Sequence, residues 1–259
     1  MEKKKVVEIK SICMNYHTLK GETEAIKDVN LDIYKGEIVT LVGPSGCGKS
    51  TLLSIIAGLI KPTKGEVLIN GKKATKTASD IGYMFQRDHL FEWRNILQNV
   101  LIGLEIQGKV NEDNLKYAEE LLETYGLGEF KNSFPRQLSG GMRQRVALIR
   151  TLVIKPDLLL LDEPFSALDY QTRLAIADEI GIILKKEKKT ALMVTHDIAE
   201  AISMADRVVV LTKRPGTIKD IIPIKLSCPE DIRTPMKCRE APEFRHYFNK
   251  IWKELDVHV

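Results

Sequence analysis

Residues 37–57 read Glu37-Ile-Val-Thr-Leu-Val-Gly-Pro-Ser-Gly-Cys-Gly-Lys-Ser-Thr-Leu-Leu-Ser-Ile-Ile-Ala57, and the order of residue types in this stretch decides the fold. Glu37 to Val42 is a short β-branched run of the kind that fills a buried central strand. Leu52 to Ala57 is an apolar run that reads as a helix and stops at Gly58. Between them, Gly43, Pro44, Ser45, Gly46, Cys47, Gly48, Lys49, Ser50 and Thr51 satisfy the spacing Gly-x-x-x-x-Gly-Lys-Ser in full. The glycines let backbone N–H groups converge on phosphate oxygens, and the start of the following helix adds a favourable dipole. Lys49 places a point charge against the β- and γ-phosphates, and the Ser50 hydroxyl is a ligand for Mg²⁺.

Outward from this stretch the pattern alternates. Val6–Met14 and Ala25–Ile33 mix apolar and polar residues in the loose alternation of half-exposed strands. Glu66–Ile69 and Ile81–Phe85 read as further strands, with Asn70-Gly71 as a turn signal after the first. Between Arg87 and Lys155 the periodicity becomes helical. Asn111 is placed to cap Glu112–Tyr125, where Leu115, Ala118, Leu121, Leu122 and Tyr125 share one face and Gly126 ends the pattern. β signals return at Asp157–Asp162, Ala191–Thr195 and Arg207–Leu211, separated by helical stretches over Thr172–Lys186 and Ile198–Met204. That alternation predicts a parallel sheet. From about Lys213 the chain is rich in Pro and basic residues, and Glu243–Leu255 reads as an amphipathic helix.

Composition narrows the classes. The 259 residues are 44% hydrophobic, enough to bury a core, so a disordered tail is excluded. Lys and Arg outnumber Asp and Glu by 39 to 35, a net charge of +4 too small to argue for nucleic acid. The opening residues lack the apolar run of a signal peptide. The longest nearly apolar run, Leu52–Ile60, falls far below the roughly 18–20 residues a membrane span needs, so the chain is not expected to cross a bilayer by itself. Cys13, Cys47, Cys228 and Cys238 match neither a zinc site nor a disulfide framework and are expected as isolated thiols.

Two further stretches carry chemistry. Leu158-Leu-Leu-Leu-Asp162-Glu163 is an apolar strand that ends in adjacent carboxylates, which is unusual because a buried unpaired charge is costly. At the carboxyl end of a parallel strand Asp162 can hold Mg²⁺ through water and Glu163 can polarise an attacking water. Leu138-Ser-Gly-Gly-Met-Arg-Gln-Arg145 leads into an apolar helical stretch. Ser139, Gly140 and Gly141 at a helix start offer a hydroxyl and open backbone donors, a second anion cradle. The bland alternative is a capped helix that uses glycine only for its entry angle.

Together these residues resemble the ATP-binding subunit of an ABC (ATP-binding cassette) transporter over nearly the whole chain. Gly43–Thr51 resembles the Walker A loop of the P-loop NTPases, Leu158–Glu163 the Walker B strand and Leu138–Gln144 the ABC signature. Gln86 is similar to the Q-loop glutamine, Ser166-Ala-Leu-Asp169 to the D-loop and His196 to the switch histidine, and Tyr16 falls where the family stacks a ring on adenine. The resemblance implies an α/β fold: a P-loop NTPase (RecA-like) core with a mainly parallel sheet, an antiparallel β subdomain and an inserted α-helical subdomain. It implies one ATP-binding domain over 1–259, with 1–86 and 156–225 as the core, 87–155 as the helical signature subdomain and 226–259 as a tail.

The implied mechanism has two copies pairing head to tail around two ATP molecules. Lys49 and the loop amides of one copy hold the phosphates. Ser139, Gly140, Gly141 and Gln144 of the other close over the γ-phosphate, and Glu163 and His196 act on the attacking water. Ser50, Gln86 and, through water, Asp162 would hold Mg²⁺. The implied partners are a second copy, transmembrane permease subunits and a solute-binding protein, with no nucleic acid. The implied location is the cytoplasmic face of the membrane, reached only through the permease.

Leu90-Phe-Glu-Trp-Arg-Asn95 and Lys213-Arg-Pro-Gly-Thr-Ile218 are similar to the importer branch for nitrate, sulfonates and taurine, although Glu92 replaces its usual Pro and Ile149 its usual Ala. Trp93-Arg94 has a local alternative, a ring packed under a guanidinium. The rival class is a soluble ABC-type ATPase such as an iron–sulfur assembly member. A P-loop kinase or GTPase would leave Ser139–Gln144 unexplained, and a binding module with a dead site is opposed by Lys49, Glu163 and His196.

Overall fold

The computed structural model describes residues 4–18, 21–74, 80–166, 168–228 and 235–255. The chain forms two compact units, Met1–Ala78 with Ala177–Val259, and Ser79–Ile176.

In the first unit, β1 (Lys5–Thr18), β2 (Gly21–Tyr34), β4 (Lys64–Ile69) and β5 (Lys72–Lys73) build an antiparallel sheet in the order β2-β1-β4-β5. Val29, Leu31 and Ile33 of β2 alternate inward, the period-two pattern of a sheet with one buried face. The parallel strands β3 (Ile38–Val42), β8 (Thr190–Val194) and β9 (Arg207–Leu211) place β3 between the other two, and every residue of β3 and β8 is buried. The β-branched run before the glycine-rich loop is therefore the central strand that the sequence predicts. At the entrance to β3 the half-buried Arg207 guanidinium grips the Glu37 carboxylate through Nε at 2.5 Å and Nη2 at 2.9 Å.

Besides the two-residue β5, two elements of the first unit were not expected from the sequence. Strand β10 (Ile218–Pro223) pairs antiparallel with β9, and the short α7 (Pro235–Cys238) follows later. The amphipathic helix is present as α8 (Phe244–Glu254). Its Ile251 is buried in a cluster with Ile202 of α6 (Ile198–Met204), Val208, Val210 and Ile222, against which Phe244, Tyr247 and Phe248 pack. The four cysteines are free but not all isolated, which corrects the expectation: β10 and the segment after it bring the Cys228 and Cys238 sulfurs to 3.3 Å.

The second unit holds β6 (Ile81–Met84) and β7 (Leu158–Asp162), which pair in parallel, and the helices α2 (Ile96–Ile106), α3 (Glu112–Thr124) and α4 (Gly140–Leu152). It extends beyond 87–155 at both ends, taking in β6, β7 and the start of α5 (Tyr170–Lys186). Asn111 caps α3 by accepting the Asn114 N–H at 2.8 Å. Ala118, Leu121, Leu122 and Tyr125 are buried, but Leu115 is exposed, so the apolar face is narrower than the periodicity indicates. α2 starts with a reciprocal capping box between Asn95 and Gln98. No helix among the described residues is long and apolar enough to cross a membrane.

One buried polar residue of α2 shapes the Leu90–Asn95 segment. Asn99 is fully buried, accepts the Phe91 N–H at 2.7 Å and donates to the carbonyls of Phe91, Arg94 and Asn95 at 3.0–3.1 Å. With that segment pinned, Trp93 stands 74% exposed and rests against Phe91, while Arg94 turns to Glu105 at 2.6 Å. The ring and guanidinium thus have separate partners, which removes the local-packing alternative for the pair. Glu92, in place of the usual Pro, pairs with Arg136 at 3.1 Å. Asn99→Ala leaves the Phe91 N–H and several carbonyls without this partner, and we expect a loss of about 3 kcal/mol in urea unfolding. A loss below about 0.5 kcal/mol would show that the segment holds itself without Asn99.

Candidate active site

In the first unit the glycine-rich loop leaves β3 and enters α1 (Lys49–Ile56). Gly48 is the N-cap residue, with φ +102°, and no side chain caps the helix. A side chain at Gly48 would be strained and would also strike Ile26. The first amides of α1 therefore have no side-chain cap, which is what an anion-binding helix start requires.

Lys49 is buried, and its ammonium donates to the carbonyls of Gly43 at 2.8 Å and Pro44 at 3.1 Å, so the loop wraps around the charge. Cys47 is buried beside it. Burial pushes the thiol above its ordinary value, opposed by the Lys49 charge. Ser45, Gly46 and Ser50 are exposed, whereas Pro44 and Thr51 are half-buried. The Tyr16 hydroxyl lies 3.2 Å from Thr51 Oγ1, which brings the expected adenine-stacking ring to the start of α1. Tyr34, the other nearby aromatic, is covered by the Arg207 guanidinium.

His196 follows β8 on an exposed position whose flanks are fixed. The buried Thr195 hydroxyl donates to Glu200 at 2.6 Å and accepts the Asp197 N–H at 3.0 Å, and the Asp197 carboxylate caps α6 through the amides of Ala199 and Glu200. Thr195 and Glu200, which sequence reasoning passed over, lock the backbone on either side of the histidine.

In the second unit β7 delivers Asp162, 8% exposed, followed by Glu163 at φ +46°. A left-handed backbone at a carboxylate is strained and marks a position held by its surroundings. The Glu163 carbonyl accepts from the Ser166 N–H and hydroxyl, and the buried Phe165 anchors the turn. Gln86 Nε2 donates to Glu163 Oε2 at 2.9 Å, joining two of the expected site residues directly. Ala167 of the D-loop lies outside the described residues. Asp169 accepts from Thr172 at the start of α5, and those hydrogen bonds hold its carboxyl below the ordinary value.

The signature residues divide by exposure. Ser139 caps α4 by accepting the Met142 N–H at 3.3 Å, and both Ser139 and Gly140 are exposed. Gly141 is buried, and a Cβ there would lie 2.8 Å from the Thr172 methyl, so this glycine permits close packing of α4 on α5. Gln144 departs from the expectation that its side chain serves a second copy: it is 3% exposed and donates inward to the Gln86 carbonyl at 3.3 Å.

The donors expected for Mg²⁺ are hard oxygens, the exposed Ser50 hydroxyl and the Asp162 carboxylate, with the Gln86 amide, which suits that ion. No group of three or more His, Cys, Asp or Glu among the described residues makes a metal cage of its own. Hydroxyl, amide and carboxylate oxygens of this kind, taken in each unit by itself, suit an ion that keeps several waters and draws on substrate phosphates.

Known proteins resemble the chain over most of its length. Residues 26–166 match the family model described as ABC transporter. The chain is 47% identical to the uncharacterized ABC transporter ATP-binding protein YtlC of Bacillus subtilis, over 93% of this chain and 92% of that one. It is 43% identical to the nitrate import ATP-binding protein NrtD of Synechocystis, over 90% and 88%. Among solved structures, a dimeric post-hydrolysis state of the ATP-binding cassette MJ0796 bound to ADP and Pi superposes with a TM-score of 0.75 at 34% identity, covering 85% of this chain and 99% of that one. The chain belongs to the ABC transporter ATP-binding family and is an ABC-type ATPase. Its mixed α/β architecture is that of the cassette.

Asp197→Ala removes both cap bonds of α6 and frees the backbone beside His196. We expect about 1 kcal/mol of lost stability and a roughly tenfold lower kcat with ATP affinity unchanged. A steady-state assay with a parallel thermal melt checks both, and an unaltered kcat would separate His196 placement from this cap.

Proposed function

We propose that this chain is the energy-coupling subunit of an ABC import system for nitrate, an aliphatic sulfonate, taurine or a similar small solute. In this reading it binds Mg-ATP, pairs head to tail with a second copy, and drives a separate transmembrane permease served by a solute-binding protein. It would sit at the cytoplasmic face of the membrane through the permease alone. The observation that carries the reading is the Gly43–Thr51 loop, with Lys49 encased and the start of α1 uncapped by any side chain. The importer assignment is supported by the Leu90–Asn95 segment, which Asn99 pins so that Trp93 is presented outward, and by the likeness to NrtD.

Each residue then has a task. The loop amides and Lys49 bind the β- and γ-phosphates, and Tyr16 stacks on the adenine. Glu163 is the general base for the attacking water, Gln86 fixes its carboxylate, and His196 steadies the γ-phosphate. Ser139 and Gly140, the exposed pair at the start of α4, face the second copy's nucleotide with Gly141 behind them, and Asp169 lies in the same interface. Gln144 acts from inside, linking the signature helix to the backbone of Gln86. Residues 1–86 and 156–225 serve as the nucleotide-binding core and 87–155 as the signature subdomain. Mg²⁺, when bound, neutralises phosphate charge and polarises the γ-phosphoryl group.

Glu163→Gln should lower kcat at least about 100-fold while ATP still binds, and ATP-bound dimers should accumulate on size exclusion, because the water loses its base but the phosphate grip remains. An unchanged hydrolysis rate would remove Glu163 from this role. Lys49→Ala should weaken ATP binding at least about tenfold in a direct titration. Tight binding by that variant would contradict the assigned phosphate contact.

A further inference from the structure

The segment Lys213-Arg-Pro-Gly-Thr-Ile218 has no task in the reading above, yet it is built against the phosphate-binding loop. After β9 the chain turns back on itself. Thr212 and Thr217 exchange backbone and side-chain hydrogen bonds, and the Thr212 hydroxyl also donates to the Pro215 carbonyl at 3.0 Å. Gly216 is stitched to β2: its N–H donates to the Ala25 carbonyl at 2.9 Å and its carbonyl accepts the Lys27 N–H at 3.0 Å. A rigid turn is thereby set beside residues 46–48.

The turn meets the loop at two consecutive peptides. Arg214 Nε donates to the Gly46 carbonyl at 3.1 Å. Gly216 lies so close to the Cys47 carbonyl oxygen that a Cβ on it would overlap that atom. A trans peptide is planar, with its N–H opposite its C=O. Holding the Gly46 oxygen therefore fixes the Gly46–Cys47 peptide, whose N–H donates to the Pro44 carbonyl at 3.3 Å and closes the loop, and fencing the Cys47 oxygen directs the Gly48 N–H away from the turn. The guanidinium also polarises the peptide it touches, which strengthens the Cys47 N–H as the donor of that loop-closing bond. The remaining Arg214 nitrogens have no partner among the described residues, and the side chain is exposed, so its bond to Gly46 is its one fixed contact there.

We propose that the 212–217 turn braces the phosphate-binding loop and that Arg214 is its positioning residue, setting affinity for the triphosphate of ATP through Gly46. The proposal rests on the reading that Gly43–Thr51 binds that triphosphate. Arg214 acts on binding and leaves the hydrolytic step to other residues.

The test compares the full-length chain with Arg214→Ala, Arg214→Lys and Lys49→Ala. A ribose-labelled fluorescent ATP analogue is displaced by Mg-ATP or by adenosine, and KM and kcat are measured in parallel. Arg214→Ala should raise the Kd and KM for ATP about five- to tenfold, with adenosine binding and kcat at saturating ATP within about twofold of the parent. Arg214→Lys should recover part of the loss, because an ammonium can still donate to the Gly46 carbonyl. A merely structural role would lower the melting temperature and the active fraction without moving KM. An Arg214→Ala protein whose ATP affinity stays within twofold of the parent, or one that loses kcat at constant KM, overturns the brace. If Lys49→Ala also binds ATP like the parent, the loop reading itself has failed, so the two failures are distinguishable.

Discussion

A phosphate-binding loop must hold backbone N–H groups in place and keep enough of them off protein acceptors. Under the proposed function the packing around residues 43–51 answers that demand, with the Cys47 N–H closing the loop on the Pro44 carbonyl at 3.3 Å. A side-chain cap at Gly48 would occupy the amides at the start of α1, and there is none. Order comes instead from contacts to carbonyls and side chains. The Lys49 ammonium binds the carbonyls of Gly43 and Pro44, Tyr16 meets the Thr51 hydroxyl, and the turn after β9 presses on the outer face of the loop. An ammonium enclosed by neutral carbonyl dipoles keeps its full charge for an incoming anion, whereas a carboxylate partner would cancel it. The same logic explains the central position of β3, since a strand buried on every residue gives the loop a fixed origin.

The acidic half of the chemistry is arranged differently. Asp162 and Glu163 follow four fully buried leucines, and each carboxylate at the end of such a strand needs a stated environment. For Glu163 it is the Gln86 amide, a neutral donor that orients the carboxylate without neutralising it. Its left-handed backbone is the cost of turning the chain at that carboxylate, offset by the Ser166 hydrogen bonds and the buried Phe165 ring. Gln144 reaches the backbone of Gln86 from α4, so the signature helix and the Gln86–Glu163 pair form one hydrogen-bonded group within the second unit.

Much of this was legible in the sequence because it rests on local rules. The period-two and β-branched runs located the strands, Asn111 and Gly126 bounded α3, and the glycine spacing marked the loop. The order of the motifs along the chain also carries the family resemblance. Other features depend on partners far along the chain. Gln144 carries no local signal that it turns inward, because its burial depends on β6 and the residues after it. Asn99 looks like any polar helix residue until the Leu90–Asn95 backbone folds over it. The 3.3 Å approach of Cys228 and Cys238 depends on how the segment after β10 and α7 pack. β10 was obscured by the prolines and charges around it, although its Ile221-Ile222 pair is an ordinary edge-strand signal.

The two glycines of the signature show how one short motif can serve packing and function at once. Gly141 is used up by the Thr172 methyl, so its small size answers to α5 and would be required even in a protein that bound nothing. Gly140 meets no such neighbour: the nearest atom to an added Cβ there is the end of the Arg143 side chain at 3.9 Å. Ser139 keeps its hydroxyl on the Met142 N–H, at the long end for a hydrogen bond, and remains exposed. Entry angle alone would therefore account for Gly141 but leaves the bare backbone at Gly140 without a structural cause. An exposed helix start with a hydroxyl and an uncovered glycine is a surface suited to close on an anion carried by another molecule. Under the proposed function that anion is the γ-phosphate of the second copy, which explains why both the anchoring and the open glycine belong in one motif.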